Sequence, residues 1–149
     1  GRLTSLELHP GEDRPSLRLG EELTMILPLG LEGTANLRPL VESHLLMLAG
    51  RELCARTVEL ATRHGVAIER IRVRSQVSRW GSCSSTGTLS LNWRLIQTPT
   101  EVRDYVILHE LMHRLELNHS ARFWALVARA CPDHEACERW LKEHGRRIL

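Results

Sequence analysis

Two histidines and a glutamate stand close together in the segment Asp104–Trp124, as His109-Glu110-Leu111-Met112-His113, with a third histidine, His119, six residues on. Histidines four apart on a helix are turned by roughly 40° and displaced by about 6 Å along the axis, so both imidazoles reach one ion. Glu110 follows His109 directly and points to the neighbouring side of such an ion. That position is awkward for a ligand but suits a base acting on activated water. The residues around the pair, Tyr105-Val-Ile-Leu108 and Leu111-Met112, are apolar, so the helix is expected to be mostly buried, and buried His and Glu need partners.

On an unbroken helix His119 would lie about 120° from His113 and roughly 9 Å further along. It reaches the same ion only if the helix ends between them. Asn118, tolerant of left-handed backbone, is the expected turning point, and Ser120 the cap of the next helix. Three imidazoles leave a fourth position open to water, as in catalytic rather than structural zinc sites, and favour zinc over magnesium or calcium. The spacing to His119 matches that of metzincins, but Glu116 stands where those carry Gly. A carboxylate from a later helix, Glu135 or Glu138, is the competing third ligand.

The elements that must position this group are short. A chain of 149 residues, 42% hydrophobic and 26% charged, makes one soluble domain, read as residues 1–149. A net charge of +2 announces neither a nucleic-acid nor a membrane partner, so autonomous nucleic-acid binding is not expected. No apolar run is long enough to span a bilayer. The first residues, starting at Gly1, show no signal-peptide pattern. Cys54, Cys83, Cys131 and Cys137 are scattered without a C-x-x-C, which reads as packing residues in a reducing cytoplasm.

Residues 1–33 read as a β meander, with runs at Leu6–His9, Pro15–Leu19 and Leu23–Leu27. Residues 36–64 read as a long helix capped by Asn36 and stopped by Gly65. Its expected apolar stripe is Leu37, Val41, Leu45, Leu48, Ala55, Val58 and Ala61, and Gly50 is a potential kink. Residues 68–96 read as a strand plus a hairpin. Arg70, Arg72 and Arg74 share the outer face of the first strand. The last strand, Thr88–Leu95, alternates cleanly and leads into the metal helix, residues 100–117, capped by Thr98 or Thr100. If that last strand lies at the sheet edge above the ion, its amides bind an extended substrate as an added strand. Residues 120–145 form two helices, the second capped by Asp133 with Trp140 and Leu141 inward. Asn92, Arg79, Tyr105 and Arg122 are the candidate substrate contacts. His9, His44, His64, His134 and His144 read as surface histidines.

Arg79-Trp-Gly-Ser-Cys83, Leu89-Ser-Leu-Asn-Trp-Arg-Leu95, Tyr105–His113 and Asn118-His-Ser-Ala-Arg-Phe-Trp124 together resemble the YgjP-like family, over roughly residues 20–145. These are bacterial proteins taken to be metal-dependent hydrolases, related to SprT-like and WLM zincins. The resemblance implies an α+β, zincin-like minimal metalloprotease fold, with a small, mostly antiparallel sheet packed on helices. Carried over by position, it makes His109, His113 and His119 zinc ligands and Glu110 the catalytic residue. Ala121 departs from the proline usual after the family's Asn-His-Ser. The expected function is zinc-dependent hydrolysis, of a peptide bond before other substrates. Hydrolysis of a small anionic substrate such as a nucleotide, its phosphates held by Arg70, Arg72, Arg74, Arg79, Arg94 and Arg122, is the first alternative. A non-enzymatic or DNA-associated zinc module is the second.

Overall fold

The computed structural model describes residues 16–19, 23–26 and 38–149. The chain falls into two compact units, Gly1–Val41 and Glu42–Leu149. In the first, β1 (Ser16–Leu19) and β2 (Leu23–Ile26) pair antiparallel, with Ser16 opposite Ile26. The expected strand at Leu6–His9, the cap at Asn36 and the stripe residue Leu37 lie outside the described residues.

Helix α1 (Arg38–Arg63) runs unbroken through Gly50. Its buried face is Ala49, Leu53, Thr57, Leu60 and Ala61, not the expected line through Ala55 and Val58, which are exposed. Thr57 hides that stripe from a hydrophobicity reading. It is wholly buried because its hydroxyl donates to the Leu53 carbonyl 2.6 Å away, which satisfies it within the helix. Gly65 ends α1 at φ 64°, and Val66 N–H returns to the Ala61 carbonyl at 2.9 Å, closing a Schellman-type cap with Val66 buried behind it.

Three strands follow: β3 (Arg70–Arg74), β4 (Gly81–Cys83) and β5 (Thr88–Asn92), in the order β3-β5-β4. β4 and β5 form the expected hairpin, turning at Gly87 with φ 87°. β3 pairs parallel to β5, so two of the three strand pairings among the described residues are antiparallel and one is parallel. β5 is central, so the condition for its amides to bind an added strand is not met: β4 is the edge strand on that side. β5 also stops at Asn92. Trp93–Gln97 winds into a 3-10 turn, with the Asn92 side chain accepting from Arg94 N–H at 3.1 Å, yet Trp93 and Leu95 stay buried.

Helix α2 (Thr100–Met112) is shorter than expected. Pro99 occupies its N-cap without a side-chain bond, while Thr98 caps the preceding 3-10 turn through Leu95 O. Val102, Tyr105, Val106, Ile107, Leu108, Leu111 and Met112 are all buried, and α2 packs on β4, β5, α3 (Ala121–Ala130) and α4 (His134–His144). Ser120 caps α3 as expected, accepting from Phe123 N–H at 3.3 Å. Asp133 stands at the N-cap of α4 but makes no capping bond. The core converges on Leu53, Leu89, Leu91, Leu95, Ile107, Leu111, Phe123 and Val127. No helix among the described residues is long and apolar enough to cross a membrane.

α1 is tied to α2 by a two-pronged ion pair: Arg56 Nε donates to Asp104 Oδ1 at 2.9 Å and Nη2 to Oδ2 at 2.5 Å. Both side chains are mostly buried, which raises the value of the pair above that of a surface bridge. Asp104→Ala is therefore expected to cost about 1–2 kcal/mol in urea unfolding. It should leave the metal content of the folded protein unchanged.

Candidate metal centre and active site

His109, Glu110 and His113 occupy the last turn of α2, where the helix leaves the core. The chain does not continue to Asn118 as a helix. It closes after His113 with short i→i+3 bonds, Arg114 N–H to Leu111 O at 3.0 Å and Leu115 N–H to Met112 O at 2.9 Å. Asn118 is not left-handed; among the described residues no non-glycine has positive φ. The break is held instead by Arg114, which sequence reading missed. Its guanidinium donates to Ala67 O at 3.2 Å and to Ser85 O at 2.7 Å, anchoring the turn to the segment before β3 and to the hairpin turn.

This turn brings His119 back over α2. The ligand atoms of His109, His113 and His119 lie within 4.8 Å of one another, the single group of this kind among the described residues. The Nε2 atoms of His109 and His119 are 3.1 Å apart. His113 Nδ1 lies 3.1 Å from Glu116 O; donating there leaves Nε2 as the free lone pair. His109 Nδ1 is buried without a hydrogen-bond partner. Burial first, then the neighbouring imidazoles, lower the pKa of His109 to about 4, and burial also lowers that of His113. Imidazoles converging at this distance fit a borderline cation such as zinc.

The backing of the group is Phe123, completely buried, whose ring centroid lies 4.4 to 4.9 Å from all three imidazoles and stacks on His113. The rival ligands stay outside this group, although the charge of Glu138 is felt at His109. Glu138 pairs with Lys142 at 2.9 Å, His134 Nδ1 sits 3.2 Å from Cys131 O, and His144 stacks on Trp140; neither these nor Glu135 join the group.

Glu110 is 8% exposed. Burial pushes its pKa up to about 7, against the opposing charge of Arg79. It is held from the other side by Gly81 of β4, another residue missed in the sequence: a Cβ there would lie 2.6 Å from Glu110 Cγ and 2.7 Å from Oε1. Only glycine lets the edge strand come this close.

Among the candidate substrate contacts, Asn92 is corrected. It is completely buried; its amide donates to Gln76 O at 2.7 Å and Arg79 O at 3.1 Å, and its N–H donates to Trp80 O at 2.8 Å. Those bonds bracket the loop that leads into β4 and, with the bond from Arg94 N–H, occupy the buried side chain. Tyr105 is buried edge-on to His109 with ring centroids 5.9 Å apart, and burial raises its phenol well above the usual range, so it stays a donor. Arg79 is exposed with its charge felt at Glu110. Arg122 is exposed and reaches Glu116 at 3.8 Å.

An unfolded chain ionises Glu110 near the usual 4.5, whereas the folded, metal-free chain keeps the proton until about 7. Between those values folding is progressively penalised as pH rises, and the penalty is complete above 7. Glu110→Gln removes it. Metal-free Glu110→Gln protein should exceed the parent in stability by on the order of 3 kcal/mol at pH 8 and by much less at pH 5, measured by denaturant unfolding at both.

The zymogen of the metallopeptidase abylysin from Pyrococcus abyssi superposes with a TM-score of 0.55 at 21% identity, covering 63% of this chain and 96% of that one. The zymogen of the metallopeptidase jannalysin from Methanocaldococcus jannaschii gives a TM-score of 0.47 at 24% identity, covering 57% and 91%. The first likeness shows a shared fold. No curated protein matches the chain. The YgjP-like metallopeptidase domain matches residues 1–144. This chain belongs to the YgjP-like metallopeptidase-domain family.

Proposed function

We propose that the protein is a zinc-dependent peptidase in which His109, His113 and His119 hold the metal and Glu110 is the general base. The observation that supports this most is the convergence of three imidazoles beside a buried carboxylate. A bound zinc ion supplies Lewis acidity, which acidifies water and polarises a carbonyl. Glu110 accepts the proton of the attacking water at a carboxylate oxygen and returns it to the departing amine. Tyr105, protonated and beside His109, is the donor toward the developing oxyanion. Arg79 orients an anionic group of the substrate. β4 is the edge that receives an extended peptide, because no strand among the described residues pairs with its outer side.

The nucleotide reading loses support from the sheet order. Arg70, Arg72 and Arg74 are exposed on β3, at the opposite edge from β4 and Glu110. Arg94 bonds Ser75 and lies over the Trp93 ring. These cations do not gather at the imidazole group.

Glu110→Gln is expected to retain one zinc per chain by elemental analysis and to lose cleavage of denatured casein by at least about 10²-fold. His119→Ala is expected to lose most of the zinc. Full activity of the glutamine variant ends this mechanism, and cleavage of nucleoside triphosphates in place of casein returns the alternative substrate. Gly81→Ala displaces the Glu110 carboxylate while leaving the imidazoles in place. Zinc content should hold, and kcat should fall about 10- to 100-fold with little change in KM.

A further inference from the structure

We infer that a cavity beside the metal group takes one uncharged apolar side chain of the peptide, of leucine or phenylalanine size, from a residue adjoining the bond that is cut; this rests on the peptidase reading above. The cavity has a volume of about 200 Å³. Whole small-molecule sites start at roughly 300 Å³, so this one holds a side chain rather than a ligand.

Its walls come from three elements. α2 contributes Tyr105, Val106, His109 and Glu110, spaced so that they share one stripe of the helix; Trp80 closes it ahead of β4 and Leu141 from α4. Two of these are the proposed metal ligand and base, so an occupant lies directly against the reacting groups. The rest of the wall is apolar: the Trp80 and Tyr105 rings, Val106 and Leu141. No Lys or Arg lines it, so an acidic side chain entering it would be desolvated next to the Glu110 carboxyl, away from the exposed Arg79.

The wall is also held in place. Trp80 O accepts from Asn92 N–H at 2.8 Å, and the indole rests on Gly145, where a Cβ would lie 3.2 Å from Trp80 Cζ2. A pocket built from such fixed parts rewards an apolar occupant without ordering itself first.

The test is calorimetric titration of the zinc-loaded protein with a series of hydroxamates, which bind the metal and carry a methyl, isobutyl, benzyl, carboxymethyl or aminobutyl group. The isobutyl and benzyl compounds should bind about 10- to 100-fold tighter than the methyl one, and the two charged compounds no tighter than methyl. Leu141→Trp, which fills the cavity, should erase that gain while the methyl compound binds as before. Leu141→Ala, which enlarges the cavity, should shift the advantage toward benzyl. Equal affinity across the series, with the methyl compound still binding, overturns the pocket and leaves the metal site standing. Failure of even the methyl compound to bind protein that contains zinc overturns the peptidase reading and the pocket with it.

Discussion

Helix α2 is surrounded by apolar neighbours on nearly every side, and the rest of the site follows from where that enclosure opens. Val106, Ile107, Leu108, Leu111 and Met112 cannot be turned to water without emptying the core, so the rotation of the helix is set by them. His109, Glu110 and His113 then have one direction left to face. Partial burial there favours the uncharged form of every group, lifting the pKa of Glu110 and lowering those of His109 and His113. Such a set is poorly served by water and well served by a divalent cation, whose charge reverses the preference at each carboxylate. The same burial that makes the empty arrangement unfavourable makes it a receptive one.

Helical spacing made the two α2 histidines and Glu110 legible from residue types alone, because periodicity reports which side chains share a face. The return of His119 was legible as a requirement but not as a mechanism. A tolerant backbone at Asn118 was the visible signal, whereas the turn is made earlier and pinned by Arg114 on two carbonyls distant in sequence. No local pattern encodes such a tether. Thr57 misled in the same way: a polar residue inside a buried stripe is invisible to hydrophobicity once its hydroxyl is satisfied by its own helix. Strand direction was equally hidden. The alternation in β3 fixes which residues face inward, but not that β5 inserts between β3 and β4 with one parallel neighbour.

That insertion decides what lies near the reacting groups. With β5 in the centre, its polar residues do not face a substrate. Asn92 becomes an internal bracket, and β4 becomes the rim. The three β3 arginines are carried to the far edge by the same step, so a basic run that suggests phosphate binding in one dimension is a solvated strand face in three.

The hairpin therefore does three things with adjacent residues. Trp80 forms a wall, Gly81 admits the strand to Glu110, and the Asn92 side chain and backbone hold the loop from Gln76 to Trp80 in register with both. Moving β4 outward by the width of a methyl group would open a gap between Gly81 and the Glu110 carboxylate. Moving it inward is prevented by Glu110 itself, whose Cγ and Oε1 already fill the space beneath Gly81. The distance from edge strand to the Glu110 carboxylate is thus set by van der Waals contact, not by a hydrogen bond that could stretch. A contact of that kind transmits any change at residue 81 straight to the position of that carboxylate.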